Sequence, residues 1–172
     1  MNHIVLFEPE KPANVGNIIR TCMALNAELI IIGPLTFDLS DKSLRRAGMD
    51  YMINFPIKRL KDLDEFFSLY GDKDIYYVTR YSKHLYTKPD YSDVTKDLFL
   101  MFGRESTGIP HDVLREHYEN TVRIPMAIDA RSLNLSNCVA LVLGEVLRQQ
   151  DYFGLATTET IKGEDFLFDE NK

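Results

Sequence analysis

Tryptophan is absent, and only two of the 172 residues are cysteine. Cys22 and Cys138 lie in apolar helical patterns and form no CxxC pair. This excludes a disulfide scaffold and fits reduced thiols in a core. Long hydrophobic runs are missing too: nothing approaches the roughly 18 apolar residues a span requires. The opening MNHIVLFEPEKP has no basic stretch, and its apolar run stops at Phe7. Secretion and membrane insertion are not expected, a cytoplasmic location is, and the formal acceptor Asn134-Leu135-Ser136 has no glycosylation meaning. Positive charge is the other scarcity, with 20 Lys+Arg against 26 Asp+Glu and a net charge of -6. That balance first argues against a polyanionic partner. Residues 151–172, however, hold six acids and two lysines, which leaves a net of only -2 on the first 150. Local grouping of cations matters more than the total for gripping phosphates.

Familiar catalytic signatures are equally scarce. Gly103 and Gly108 have P-loop spacing, but Ile109-Pro110 follows where Lys and Ser/Thr would reach phosphates and magnesium. No G-x-G-x-x-G follows a strand, and neither HExxH nor G-x-S-x-G occurs. His3, His84, His111 and His117 show no metal-ligand spacing, so no metal is expected.

With 45% hydrophobic and 27% charged residues, the chain has an ordinary globular composition, and its length suits one domain. Short apolar runs alternate with helical patterns. His3–Phe7, Leu29–Ile32, Ile75–Val78, Leu98–Phe102 and Thr121–Ile124 read as strands, most of them continuous enough to be buried on both faces. Helices are expected over Val15–Leu25 with Asn14 as N-cap, Asp41–Ala47 before Gly48, Leu60–Leu69 before Gly71, and Ser136–Gln150. The alternation predicts an α/β fold, a mostly parallel sheet with helices on both faces. Beyond Asp151 the period fades into an acidic tail, expected to be partly docked through Phe166, Leu167 and Phe168.

In open parallel sheets ligands bind beyond the carboxyl ends of strands. Three loops there are unusual: Glu8–Arg20 (EPEKPANVGNIIR), Phe102–Pro110 (FGRESTGIP) and Ile124–Asn137 (IPMAIDARSLNLSN). They gather amide, hydroxyl, carboxylate and guanidinium groups without an evident nucleophile or acid/base pair. Such a set suits transfer from an already activated donor, where alignment and charge stabilisation suffice. Alone, each residue has an ordinary explanation: Gly16, Gly103 and Gly108 as turn glycines, Glu105 as a solvated loop charge or cap, Asn134 and Ser136 as helix caps, Arg20 as a surface ion-pair partner.

In combination they carry more. Asn14-Val15-Gly16-Asn17-Ile18-Ile19-Arg20 has the form N-x-G-x-x-x-R, Phe102 to Gly108 the form F-G-x-E-x-x-G, and Ile124-Pro125-Met126 precedes Ser132-Leu133-Asn134-Leu135-Ser136-Asn137. With these three motifs the chain resembles the SpoU class of the SPOUT superfamily of S-adenosylmethionine-dependent RNA methyltransferases. The opening segment and Leu44–Tyr51 narrow the likeness to the short members that act on the wobble nucleotide of leucine tRNAs.

The resemblance covers residues 1–153 as one methyltransferase domain and leaves 154–172 as an acidic tail without assigned function. It implies a C-terminal deep trefoil knot, a homodimer with the site at or near the subunit interface, and methyl transfer to a ribose 2'-hydroxyl at position 34 of tRNA, cytidine or modified uridine. By position it implicates Val78, Thr79, Gly103, Ile124, Met126, Ser132 and Leu133 in holding S-adenosylmethionine. Arg20 would activate the hydroxyl, with Asn14, Glu105, Ser132 and Asn134 ordering loops and acceptor. Gly103 is expected to allow the backbone close to the ligand. RNA contacts are expected from Lys42, Arg45 and Arg46, from Arg80 and Lys83 beside His84 and Lys88, and from Arg104 and Arg131. Tyr81 and Tyr86 are candidates for base stacking or for the core. Alternatives are a 2'-O-methyltransferase for another tRNA or rRNA nucleotide, or a non-catalytic RNA-binding α/β module.

Overall fold

The structure, a computed structural model, describes residues 1–38 and 55–168. Lys42, Arg45, Arg46 and the helix expected over Asp41–Ala47 lie outside the described residues.

Among the described residues six strands form one parallel sheet: β1 (Asn2–Phe7), β2 (Glu28–Ile32), β3 (Ile57–Leu60), β4 (Asp74–Val78), β5 (Leu98–Phe102) and β6 (Thr121–Val122), in the order β3-β2-β1-β5-β4-β6. Central β1 pairs with β2 through Val5↔Ile30 and with β5 through Val5↔Met101. β1 and β5 are buried at every position, so neither shows a polar/apolar alternation.

Among the described residues four α-helices cover the two faces: α1 (Pro12–Ala24), α2 (Leu63–Tyr70), α3 (His111–Glu116) and α4 (Leu135–Gln149). Ile4 and Leu6 pack with Ile18, Cys22, Val139 and Leu143 on the α1/α4 side. Val5 and Phe7, one residue out of phase, pack with Phe66 and Leu114 of α2 and α3 on the other. The sequence expectation of helices on both faces holds. Both thiols are free, and burial pushes Cys22 up to about 12, the behaviour of an inert core thiol.

Several boundaries differ. α1 begins at Pro12, at a position where a missing N–H costs nothing, with Lys11 as its cap; Asn14 is therefore inside the helix and 4% exposed, not an N-cap. α2 starts only after Asp62, whose carboxylate accepts from the Glu65 N–H at 3.0 Å, because Leu60 belongs to β3. β6 stops at Val122: Arg123 turns to bridge Leu85, and Ile124 moves into the loops. The tail does not dock as expected. Leu167 and Phe168 are 87% and 83% exposed, while Phe166 lies under the Lys162 ammonium.

Candidate active site

The strand order reverses between β1 and β5, so loops leaving their carboxyl ends diverge and open a crevice. Here that crevice is held by side chains. The Glu105 carboxylate accepts from the backbone N–H of Glu10 (2.8 Å) and Lys11 (3.2 Å) and from Asn14 Nδ2 (2.7 Å). Asn14 Oδ1 in turn accepts from Asn134 Nδ2 at 2.8 Å. Asn134 Oδ1 caps α4, taking Ser136 N–H at 2.9 Å and Ser136 Oγ at 2.6 Å. One chain of hydrogen bonds thus joins all three motifs, and Asn134 is both helix cap and site residue.

Flanking contacts repeat the fastening. Glu10 accepts from the backbone N–H (2.8 Å) and hydroxyl (2.7 Å) of Ser106, and these bonds, hydroxyl first, hold its carboxyl below the usual range. Glu8, in the left-handed region at φ 43°, pairs with Arg104, whose guanidinium also lies 5.5 Å from the Phe7 ring centroid. The Arg104 charge is therefore met within the chain, at the wall of the cleft described next.

Residues 103–108 form a small hairpin, Arg104 and Gly108 exchanging backbone bonds of 3.2 and 2.9 Å. Gly108 turns it at φ 76°. A Cβ on Gly103 would stand 2.0 Å from the Gly108 carbonyl carbon and 2.1 Å from the Ile109 nitrogen. Glycine is required there by the loop's own backbone, whatever the cleft holds.

Between these loops and those after β4 and β6 lies a cleft of about 510 Å³. Val78, Thr79, Gly103, Ile124, Met126, Ser132 and Leu133 all line it, as do Asn14, Glu105 and Asn134. Arg80 lines it as well and donates from Nη1 to the Arg131 carbonyl at 3.1 Å, drawing the third motif against the loop after β4. Arg20 does not line the cleft; it stands on the exposed face of α1. Lys83 lines a different cavity. Tyr81 is 60% exposed at the cleft and meets the His111 ring edge-on at 5.3 Å, whereas Tyr86 packs against the core.

Sequence reasoning missed Glu8, Glu10, Lys11, Ser106 and Cys138 as parts of this site. The signal was present in the alternation of Glu8 and Glu10 after β1 and of Arg104 and Ser106 after β5, but only strand adjacency makes them partners. Among the described residues no group of three His, Cys, Asp or Glu could hold a metal. Nor does any helix among them have the length and apolarity to cross a membrane.

Residues 1–161 match the SpoU rRNA Methylase family. The chain belongs to that family. Among SpoU relatives, a protein of Geobacillus stearothermophilus provisionally named a tRNA (cytidine(34)-2'-O)-methyltransferase is 49% identical over 90% of this chain and 98% of its own. A solved structure concerned with the 2-OH methylation of C/U34 on tRNA superposes with a TM-score of 0.78 at 33% identity, covering 88% of this chain and 97% of the other. The SpoU methyltransferase AviRb from Streptomyces viridochromogenes, in complex with AdoMet, gives a TM-score of 0.71 at 26% identity over 87% of this chain and 57% of that one.

Proposed function

We propose that this SpoU protein transfers a methyl group from S-adenosylmethionine to the ribose 2'-hydroxyl of nucleotide 34, cytidine or modified uridine, in tRNA, with leucine isoacceptors as substrates in the cytoplasm. The observation that carries the reading is the single hydrogen-bonded chain from Glu105 through Asn14 to Asn134, which gathers three separated motifs around one cleft. The likeness to the C34 relative supports the choice of nucleotide.

The cleft fits the cofactor. Its volume of about 510 Å³ lies within the range of small-molecule sites, roughly 300–1,000 Å³. Val78, Phe102, Ile124 and Leu133 offer apolar wall for a flat base, and the Thr79, Gly103, Met126 and Ser132 positions offer backbone groups for polar ends. When bound, S-adenosylmethionine supplies a methyl group on a positively charged sulfonium, already activated for transfer.

The chain's residues then have to make a poor nucleophile competent. A ribose hydroxyl attacks well only as its proton departs, so stabilising the developing alkoxide lowers the barrier. Arg20 has this role. Its guanidinium stays protonated, so it acts electrostatically, the proton leaving to a tRNA phosphate or water. Asn14, Glu105, Ser132 and Asn134 order the loops against which the ribose is aligned, and Arg80 and Arg131 grip the phosphates beside it.

The position of Arg20 outside the cleft lining supports a homodimer in which the site is completed at the subunit interface. A C-terminal trefoil knot over a 1–153 methyltransferase unit is part of the same proposal. It is supported by the bonds that bind segment 79–88 to the chain around β6, Arg123 N–H to His84 carbonyl (2.8 Å) and Tyr86 N–H to Arg123 carbonyl (3.0 Å).

A leucine tRNA carrying 2'-deoxyribose only at nucleotide 34 tests the assignment. It should accept no methyl group while the all-ribose transcript does; equal labelling of both would point to another tRNA or rRNA nucleotide, and labelling of neither to a binding module.

A further inference from the structure

Residues 79–89, TRYSKHLYTKP, carry three full positive charges and no acid in a chain whose net charge is -6. The segment serves two cavities. Val78 to Tyr81 line the cleft described above, while Lys83, His84 and Lys88 line a second cavity of about 610 Å³ with Tyr76, Glu119 and Asn120. Tyr76, which lines one cavity, and Val78, which lines the other, are two residues or about 7 Å apart on β4 and pack against the same core cluster.

The lysines of this cavity are not neutralised as some on the surface are, a condition they share, among the described residues, with Lys11, Lys58 and Lys162. Lys61, Lys73 and Lys96 each have a carboxylate within 3.3, 3.5 and 3.7 Å. Among the described residues, Lys83 and Lys88 have no ion-pair partner. Their backbone is nevertheless fixed: Ser82 Oγ donates to the Thr121 carbonyl at 3.0 Å and accepts the His84 N–H at 2.9 Å, and Lys88 N–H donates to the Leu85 carbonyl at 3.0 Å. Two uncompensated ammonium groups on a tethered loop are preorganised for an anion.

We infer that this cavity is a second RNA subsite, holding the backbone phosphate of a nucleotide adjacent to the one methylated. The lining selects this class over a bare anion. Glu119 opposes any phosphate by its charge, which a nucleotide offsets and a bare anion does not, because the carboxylate also accepts hydrogen bonds from a ribose hydroxyl or a base amino group; Asn120 can both donate and accept. Lys83 and Lys88 supply the charge, with the strand entering the cleft past Arg80 and Tyr81. This inference rests on tRNA being the substrate.

The test uses the full-length protein, a leucine tRNA transcript, and the variants Lys83→Ala and Lys88→Ala. Direct tRNA binding, methylation kinetics and S-adenosylmethionine affinity are measured for each. The subsite predicts a several-fold rise in tRNA Kd and KM, unchanged kcat and cofactor affinity, and a fall of about 1 in the slope of log K against log salt for each lysine that contacts a phosphate. Wild-type Kd, KM and salt slope in both variants would overturn the subsite while leaving the methyltransferase reading intact. So would a loss confined to kcat. A wild-type protein that binds tRNA without methylating it would instead remove the functional reading, and the Kd and salt slopes would still decide the subsite.

Discussion

The loops after β1 and β5 satisfy their charges on one another, whereas the loop after β4 leaves its own outward. Glu8 meets Arg104, Glu10 meets Ser106, and Glu105 takes three donors from the facing segment. In residues 79–89 the backbone is tied just as closely, yet Lys83 and Lys88 meet no carboxylate among the described residues. The contrast separates two tasks. A cofactor cleft gains from preorganisation, because donors already oriented need no rearrangement during the reaction. A surface for a polyanion gains from cations left available, at the cost of mutual repulsion.

Arg20 stands on α1, outside the cleft lining, and its removal should have the largest effect. Arg20→Ala is expected to lower kcat by about 10²–10³-fold, the scale of losing one transition-state donor, with S-adenosylmethionine affinity near wild type by calorimetry. Normal turnover would remove it from the mechanism. Next comes the clasp itself. Asn14→Ala leaves Glu105 Oε1 with the Lys11 N–H alone and Asn134 Nδ2 without its acceptor, and should cost about 1–3 kcal/mol in denaturant unfolding together with weaker cofactor binding. Gly103→Ala places a methyl 2.0 Å from the Gly108 carbonyl carbon, and overpacking of this kind costs about 1–3 kcal/mol. Cofactor affinity should fall with it; unchanged affinity would mean that the hairpin does not shape the cleft.

The clasp was only partly legible in the sequence. Buried parallel strands show as uninterrupted apolar runs, so β1, β2, β4 and β5 were found within a residue or so. β3 was not, because Lys58 and Arg59 sit exposed at the sheet edge and break the run. The six-residue α3 is too short to display a period. Asn14 stands out by its motif but reads as a cap, since composition does not reveal that Pro12 starts the helix one turn earlier. The partners of Glu8 and Glu10 lie 96 residues away in sequence, and only the pairing of β1 with β5 brings them together.

A smaller effect follows from pH. Hydrogen bonds from Ser106 depress the Glu10 carboxyl, so its contribution is fully present above the ordinary carboxyl range near 4.5 and is lost as pH falls through the lower folded value. The stability difference between wild type and Ser106→Ala should be constant from pH 7 to 5 and shrink in stronger acid. A difference that persists unchanged at pH 2–3 would show that ionised Glu10 is not what Ser106 supports. Smallest of all should be the tail: removing residues 154–172 discards negative charge but no cleft residue, and tRNA Kd at low salt should stay within about twofold of wild type.

The most direct measurement is to incubate the full-length protein with labelled S-adenosylmethionine and total tRNA from a strain lacking the wobble modification, then to map the methylated nucleotide by mass spectrometry. A single added methyl group on the ribose of nucleotide 34 in leucine tRNAs is the expected product. Methylation at any other nucleotide, or none at all, would contradict the proposed function.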